Sequence, residues 1–142
     1  MRVELSRFRI KPDKANRVDE WLAMLNANMD EVKQTLIREE MKVEVIFREL
    51  IGDDEFLYWF SIQGEAGEEV NTSPFNVDHQ HIAFFEECID HAYGNHDAQP
   101  QVIMIPDAIA RALGWADPPV DAVTFVRREI VHRPPARLIT EH

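Results

Sequence analysis

The sequence predicts an α+β domain, because two helical patterns alternate with short stretches of β-type periodicity. Apolar residues recur at spacings of three and four over about residues 14–39. Alternating or aromatic-rich stretches flank this pattern, and a second helical pattern follows at 78–92. The chain has 142 residues, 45% of them hydrophobic and 29% charged, which is enough for one domain with its own core.

The first half of the chain is predicted to hold one helix between strands. Residues 3–10 alternate imperfectly and end in a Pro-containing turn at 11–13, which indicates a strand. The helix is predicted from six apolar residues on one side: Val18, Trp21, Leu25, Met29, Val32 and Leu36. Residues 41–48 alternate again, 52–54 predict a hairpin turn, and FLYWFSIQ at 56–63 predicts a strong strand.

The second half adds another helix and a last short strand. A loop over 64–77 leads to Asp78, a suitable helix N-cap, and the helix is predicted to end near Ala92. The apolar residues 101–105 predict the fourth strand. This order is that of a ferredoxin-like βαββαβ domain, a four-stranded antiparallel sheet with two helices on one face. We expect the domain to cover residues 1–106.

Residues 107–142 form an extension with a different character. They carry five basic and five acidic residues, whereas residues 1–106 carry 10 basic and 21 acidic ones and hold the whole net charge of −11. A short helix is predicted at 107–113, closed by Gly114, and 120–132 are compatible with a further strand. We expect the extension to pack on the core or on a partner chain, because its large apolar residues need cover.

The composition argues against several classes of partner. A net charge of −11 with scattered Lys and Arg repels phosphate backbones, so nucleic acid is not expected. No run of about 18 apolar residues occurs, so no membrane span is expected. The single cysteine, Cys88, cannot form an internal disulfide, and the first ten residues lack the apolar core of a signal peptide. These features favour the cytoplasm.

Four of the six histidines lie in NVDHQHIAFFEECIDHAYGNH, residues 76–96, which raises the question of a metal site. At about 100° per residue, His81 falls in the apolar stripe of the helix with Cys88, whereas His79 falls on the outer face. The two histidines therefore cannot share one ion, and a metal centre needs three or four converging ligands. We expect no metal and no cofactor, and we expect Cys88 to be buried as a small hydrophobic residue.

Two strands carry apolar residues on both faces. One face of the third strand is uniformly apolar and is predicted to lie under the helices: Phe56, Tyr58, Phe60 and Ile62. The other face is mixed but still carries Leu57 and Trp59. The first strand likewise places Val3 and Leu5 on the face opposite Phe8. Central strands of this kind cannot leave one face in water, so we expect a homodimer in which two sheets pack face to face about a twofold axis.

Four segments of the chain resemble a family of small bacterial proteins of unknown function: VELSRFRIKPDKANRVDEWL, FLYWFSIQGE, SPFNVDHQHIAFFEECID and VIMIP. The resemblance covers about residues 2–106 and relates the chain to the dimeric α+β barrels. It implies the fold and the dimer but no activity, and residues 107–142 lie outside it.

The wider barrel superfamily contains cofactor-independent monooxygenases, haem-degrading enzymes and small isomerases. Its haem-degrading members use a histidine on the second helix, a tryptophan on the third strand and an asparagine on the first. His81 and Trp59 are similar to the first two, but residues 3–9 contain no asparagine. The predicted sheet faces also place Trp59 away from His81, so haem degradation is disfavoured.

The sequence favours a cytoplasmic homodimer that binds a small organic molecule between the second helix and the sheet. The expected ligand-binding residues are His81 and Tyr58, whose polar tips would meet in an apolar layer. Arg7 and Trp59 are the reserve candidates, because the phase of the first strand leaves either face open. The alternative is a monooxygenase-like or isomerase-like enzyme of the dimeric α+β barrel type, in which a neutral His81 acts as a base.

Overall fold

The computed structural model describes residues 1–115 of the chain. Within them lie these strands and α-helices: β1 (Arg2–Arg9), α1 (Ala15–Ala27), α2 (Met29–Arg38), β2 (Met41–Ile51), β3 (Asp54–Gln63), α3 (Asn76–Cys88), β4 (Asn95–Ala98) and α4 (Asp107–Ala112). A 3₁₀ turn, Val70–Thr72, lies in the connection before α3. The possible strand at 120–132 lies outside the described residues, and none of the described helices is long and apolar enough to span a membrane.

The four strands form one antiparallel sheet in the order β2-β3-β1-β4. β1 is central, since it pairs with β3 over all eight of its residues and with β4 over four. The hairpin between β2 and β3 turns at Gly52, where φ is 62°, as the sequence predicts. The α+β class is confirmed, and the sheet is consistent with the predicted ferredoxin-like domain.

The single helix predicted over 14–39 is two helices. α1 ends at Ala27 and α2 begins at Met29, with Asn28 between them at φ −110° and ψ 29°. The Asn28 side-chain amide donates to the Met24 carbonyl oxygen over 2.7 Å. Asparagine side chains compete in this way with the backbone and disfavour helix interiors. The break allows α1 to pack on α3 while α2 packs on β2.

The limits of α3 also differ from the prediction. The helix begins at Asn76, so Asp78 lies in its first turn rather than at the N-cap. It ends at Cys88 rather than near Ala92, because Ile89 adopts extended backbone at φ −85° and ψ 135°. The extended Ile89 bridges to Ile10 beyond the end of β1, and this tertiary pairing is not visible in the periodicity.

The fourth strand lies at 95–98 rather than at the predicted 101–105. Its sequence, NHDA, is polar, and its place is set by pairing with β1 rather than by apolar periodicity. If the β1–β4 register continued, Pro100 would lie opposite Val3. Proline has no N–H to donate to the ladder, so the strand ends at Ala98. Residues 101–105 stay outside the sheet.

The helices cover the opposite face of the sheet from the predicted one. The β1–β3 register places Phe8 opposite Leu57 and Ser6 opposite Trp59. Phe8 and Leu57 belong to the main core, together with residues of α1 and α3 and the segments that follow β1 and α3: Val18, Trp21, Phe85, Cys88, Ile10 and Ile89. The face of Leu57 and Trp59 is therefore the covered one.

Phe56, Tyr58, Phe60 and Ile62 lie on the other face, away from the main core, and we call it the open face. Tyr58 and Phe60 are partly exposed there, whereas Phe56 and Ile62 are buried, and the Tyr93 ring lies against Phe56. The reason for the wrong prediction is that polar residues on the covered face find partners there. The Gln63 amide donates to the Glu39 carbonyl oxygen over 3.2 Å, and the Ser6 hydroxyl donates to Asp97 over 2.6 Å. Buried polar groups that are hydrogen-bonded are tolerated, so the more apolar face need not be the one under the helices.

Gly67 makes the closest backbone approach in the connection between β3 and α3. A Cβ atom at this position would overlap the carbonyl group of Glu39, the residue that follows α2. Because the obstacle is backbone, it cannot move aside as a flexible side chain would. The contact fixes the path of the chain into α3.

Gly67→Ala is therefore expected to lower the free energy of unfolding by about 2–3 kcal/mol, as overpacking does. Gly52→Ala is the matched control, because a Cβ there meets open space and only the positive φ of 62° costs energy, about 1 kcal/mol. Urea unfolding of both variants measures the difference. Equal losses would contradict the close-approach explanation.

Candidate functional site

The four candidate ligand-binding residues fall into two pairs on opposite faces of the sheet. His81 and Trp59 lie together on the helix side, with ring centroids 5.3 Å apart. Arg7 and Tyr58 lie opposite each other in the β1–β3 register on the open side. The predicted meeting of His81 with Tyr58 is wrong, because the alternation of β3 sends Tyr58 and Trp59 to different faces. The predicted separation of His81 from Trp59 is also wrong, because Trp59 lies on the face of the sheet that the helices cover.

His81 is held by a residue that the sequence analysis did not single out. Helical periodicity places it on the buried side of α3, where it is 8% exposed. The indole Nε1–H of Trp21, on α1, donates to His81 Nδ1 over 3.0 Å. The centroids of the two rings are 5.4 Å apart. This buried hydrogen bond joins the middle of α1 to the middle of α3.

The signal for this pair is present in the sequence, but in two separate patterns. Trp21 belongs to the apolar stripe of the first helix, and a buried indole N–H needs an acceptor. His81 belongs to the stripe of a helix about sixty residues later, and a buried imidazole needs a partner too. The periodicity of each helix gives its buried side, but it does not say which residues of the two helices meet.

Burial keeps His81 neutral. Removal of the ring from water disfavours its charged form and lowers its pKa from 6.5 to about 4. Since Nδ1 accepts the indole hydrogen bond, the proton of the neutral ring lies on Nε2. His81 Nε2–H is therefore a hydrogen-bond donor of fixed orientation. The lone pair of Nδ1 is not free to take a proton while Trp21 donates to it.

Aromatic side chains surround the imidazole of His81. Trp59 meets it edge to face, and the Trp59 indole N–H donates to Glu44 Oε1 over 2.7 Å, which fixes that ring. Phe84 stacks on Trp21 with planes 5° apart, and the Arg17 guanidinium carbon lies 4.7 Å from the Phe84 ring centroid. Trp59 and Phe84 are only partly buried. The cluster therefore extends from the core to the surface.

The second pair of candidates belongs to the open face. The Tyr58 hydroxyl donates to Glu49 Oε1 over 2.9 Å, and this hydrogen bond is the main cause of the raised pKa of Tyr58. The Arg7 guanidinium carbon lies 5.6 Å from the ring centroid of Phe56 and 6.0 Å from that of Tyr93. Arg7 Nε is buried without a hydrogen-bond partner among residues 1–115. Arg7 and Tyr58 thus belong to a different surface from His81.

His79 and Cys88, which the sequence raised as candidates for metal or thiol chemistry, make no ring contact or hydrogen bond with His81. His79 is exposed and its Nε2 lies 2.8 Å from the Ser73 carbonyl oxygen, which confirms that His79 and His81 diverge. Cys88 is 0% exposed, and burial raises the pKa of its thiol, so its interpretation as a core residue is confirmed. In the part of the chain that the structure describes, no group of three or more His, Cys, Asp or Glu side chains could hold a metal ion.

The buried imidazole is expected to make the protein less stable in mild acid. The pKa of His81 is 6.5 in the unfolded chain and about 4 in the fold, so the unfolded state takes up the proton first as the pH falls. The stability contributed by the neutral ring is present above about pH 6.5 and is lost as the pH falls towards 4. Between pH 7 and 5, the wild type should lose about 2 kcal/mol more than His81→Phe in urea unfolding. An identical pH dependence of the two proteins would contradict the buried neutral ring.

Comparison with known proteins identifies a family but no activity. No curated protein and no solved structure matches the chain. One family model matches residues 1–111, which include the whole sheet and all four candidate residues. That model describes a family of unknown function. The chain belongs to this family, DUF6176.

Proposed function

We propose that the protein is a cytoplasmic small-molecule-binding protein whose ligand lies between α3 and the sheet and is oriented by His81. One observation carries this proposal: the hydrogen bond from Trp21 fixes the imidazole as a neutral ring with its proton on Nε2. A neutral donor among aromatic side chains can bind an acceptor atom without the cost of burying a charge.

The surroundings of His81 favour a planar and uncharged ligand. The partly buried rings of Trp59 and Phe84 offer surfaces on which an aromatic molecule stacks. The net charge of −11 disfavours anions. The Nε2–H group would donate to a carbonyl oxygen or a ring nitrogen. The expected ligand class is therefore an aromatic or heteroaromatic compound that carries one such acceptor.

Binding can be measured with a set of these compounds through tryptophan fluorescence, since Trp21 and Trp59, two of the three tryptophans, lie beside His81. Compounds that bind the wild type are expected to lose roughly fivefold in affinity in His81→Phe, because one hydrogen bond contributes about 1 kcal/mol. Tyr58→Phe is the matched control on the other face of the sheet and should bind as the wild type does. Binding that survives in His81→Phe but fails in Tyr58→Phe would move the site to the open face.

A second candidate function is a monooxygenase-like or isomerase-like enzyme of the dimeric α+β barrel type. The contact between Trp59 and His81 supports membership of that superfamily, because it brings together the histidine and the tryptophan that its haem-degrading members use, but it does not specify a reaction. A base role for His81 is less well supported, since Nδ1 accepts from Trp21 and Nε2 carries the proton. Substrate-dependent oxygen uptake, or conversion of a bound compound, would favour the enzyme over the binding protein.

Haem degradation stays disfavoured, although the argument from the position of Trp59 no longer holds. An iron ligand must be an unprotonated ring nitrogen, and the one such atom of His81 already accepts from Trp21. β1 also has no asparagine, and Ser6 is the residue that pairs with Trp59. A Soret band that appears when haem is added to the protein would contradict this argument.

We further propose that two copies pack through their open sheet faces, as in a dimeric α+β barrel. The open face carries apolar residues of three neighbouring strands that are at least partly exposed: Val3, Leu5, Val43, Val45, Phe47, Ile51 and Phe60. Phe56 and Ile62 lie on the same face but are already buried within the chain. In the single chain Phe47 is 54% exposed and Leu5 is 38% exposed. A twofold arrangement would cover such a face on both copies at once. Leu57, which the sequence assigned to this interface, is not part of it, since it is 0% exposed in the core.

Phe47→Asp is expected to convert the dimer into a monomer at micromolar concentration, because it places a charge inside an apolar interface. Ile37→Asp is the matched control, since Ile37 is 78% exposed on α2, away from the open face. Light scattering gives the mass of each protein. A wild type that is already monomeric, or a Phe47→Asp variant that keeps the dimer mass, would refute the proposal.

A further inference from the structure

The segment that follows β4 exposes three consecutive large apolar side chains. Val102 is 71% exposed, Ile103 is 47% exposed and Met104 is 85% exposed. The segment QPQVIMIP, residues 99–106, carries no charge, and its apolar part has the composition of a strand. Among the described residues 1–115, however, no strand pairs with residues 101–105. Within that part of the chain, a strand-like segment lies outside the sheet.

This segment cannot extend the sheet along β1 of its own chain. The β1–β4 register ends with Leu5 opposite Ala98, and its continuation would place Pro100 opposite Val3. The missing N–H of proline interrupts the ladder at that point. The segment therefore needs a different edge if it is to become a strand.

The other edge of the sheet is β2, which is eleven residues long. Among residues 1–115 it pairs with β3 on one side and with no strand on the other. Long edge strands with apolar side chains are templates for pairing with another chain. Two of the open-face residues of β2 are exposed in this way, Val45 at 36% and Phe47 at 54%.

Within one chain the segment cannot reach that edge. The outer side of β2 lies four strand spacings from β4, roughly 19 Å away. The chain from Ala98 to Gln101 spans at most about 11 Å when fully extended. Any pairing of residues 101–105 with β2 must therefore occur between two chains.

We propose that residues 101–105 of each copy add as a strand to the outer edge of β2 of a second copy, in the homodimer proposed above, on which this inference rests. A twofold axis makes the contact reciprocal, so it closes at two chains and does not propagate into a fibre. The segment is uncharged, so it brings no unpaired charge to the edge.

The exposed apolar area agrees with an interface of this kind. It comes from the open face and from the segment: Leu5, Val45, Phe47, Ile51, Val102, Ile103 and Met104. At residue areas on the order of 200 Å², their exposed fractions amount to roughly 800 Å² per chain, the size of one side of a stable interface. The open face or the segment alone would supply only about half of that area.

Disulfide cross-linking of the full-length chain tests the inference. Met104→Cys is combined in turn with Val45→Cys, Phe47→Cys or Glu49→Cys, in a Cys88→Ala background, so that the unknown register is sampled along β2. At least one pair is expected to give a covalent dimer under mild oxidation, visible on a non-reducing gel. Met104→Cys with Ile37→Cys is the matched control and should stay unlinked, because Ile37 lies on α2.

The outcomes separate this inference from the proposed dimer. A wild type that is dimeric by light scattering but gives no cross-link with any β2 position overturns the strand addition and leaves the dimer standing. A covalent dimer from Met104→Cys alone also overturns it, since the two segments would then meet each other. A further double variant, Phe47→Cys with Val126→Cys, tests the residues beyond 115. A covalent dimer from this pair, with none from the Met104→Cys pairs, would overturn the proposal in favour of that part of the chain. A monomeric wild type refutes both proposals.

Discussion

The hydrogen bond between Trp21 and His81 is the constraint on which the rest of the helix layer depends. It is buried, it joins α1 to α3, and both of its partners touch Trp59 on the sheet. An indole and an imidazole would each be costly to bury alone, and each supplies what the other lacks. The same bond decides the chemistry of the ring, because it selects the tautomer and commits Nδ1. Structure and candidate function therefore rest on one interaction.

The buried sides of α1 and α3 could be predicted from the sequence, because helical periodicity depends only on local spacing. Val18 and Trp21 are 0% exposed, and His81 and Cys88 are buried, as the stripes indicate. The predicted stripe fails in α2, where Met29 is 38% exposed and Thr35 is the buried residue. The faces of the strands could not be predicted in the same way. β3 is apolar on both sides, so which side the helices cover depends on polar partners far away in sequence, such as Glu39 for Gln63.

In the candidate site, too, the features set by local spacing could be predicted, whereas the contacts between residues far apart in sequence could not. His81 could be identified from its own helix, but its partner Trp21 lies on another helix, and Trp59 was assigned to the wrong side of the sheet. The fourth strand was misplaced because its polar sequence has no apolar periodicity. Its position is decided by pairing with β1 and by Pro100, which lies just beyond the strand and ends the pairing. Tertiary pairing outweighs local preference at each of these points.

The central position of β1 has a consequence for the order in which the sheet can be assembled during synthesis. β1 leaves the ribosome before both of its neighbours in the sheet, which are residues 56–63 and 95–98. The β2–β3 hairpin closes over a tight turn at Gly52 and needs no distant contact, whereas β1 has to close a much longer loop to join it. One edge of β1 then stays open until Ala98 has been made. β1 carries charged side chains among its apolar ones: Arg2, Arg7 and Arg9. Charged side chains on an unpaired edge discourage pairing with other chains, so they protect β1 until β4 has been made.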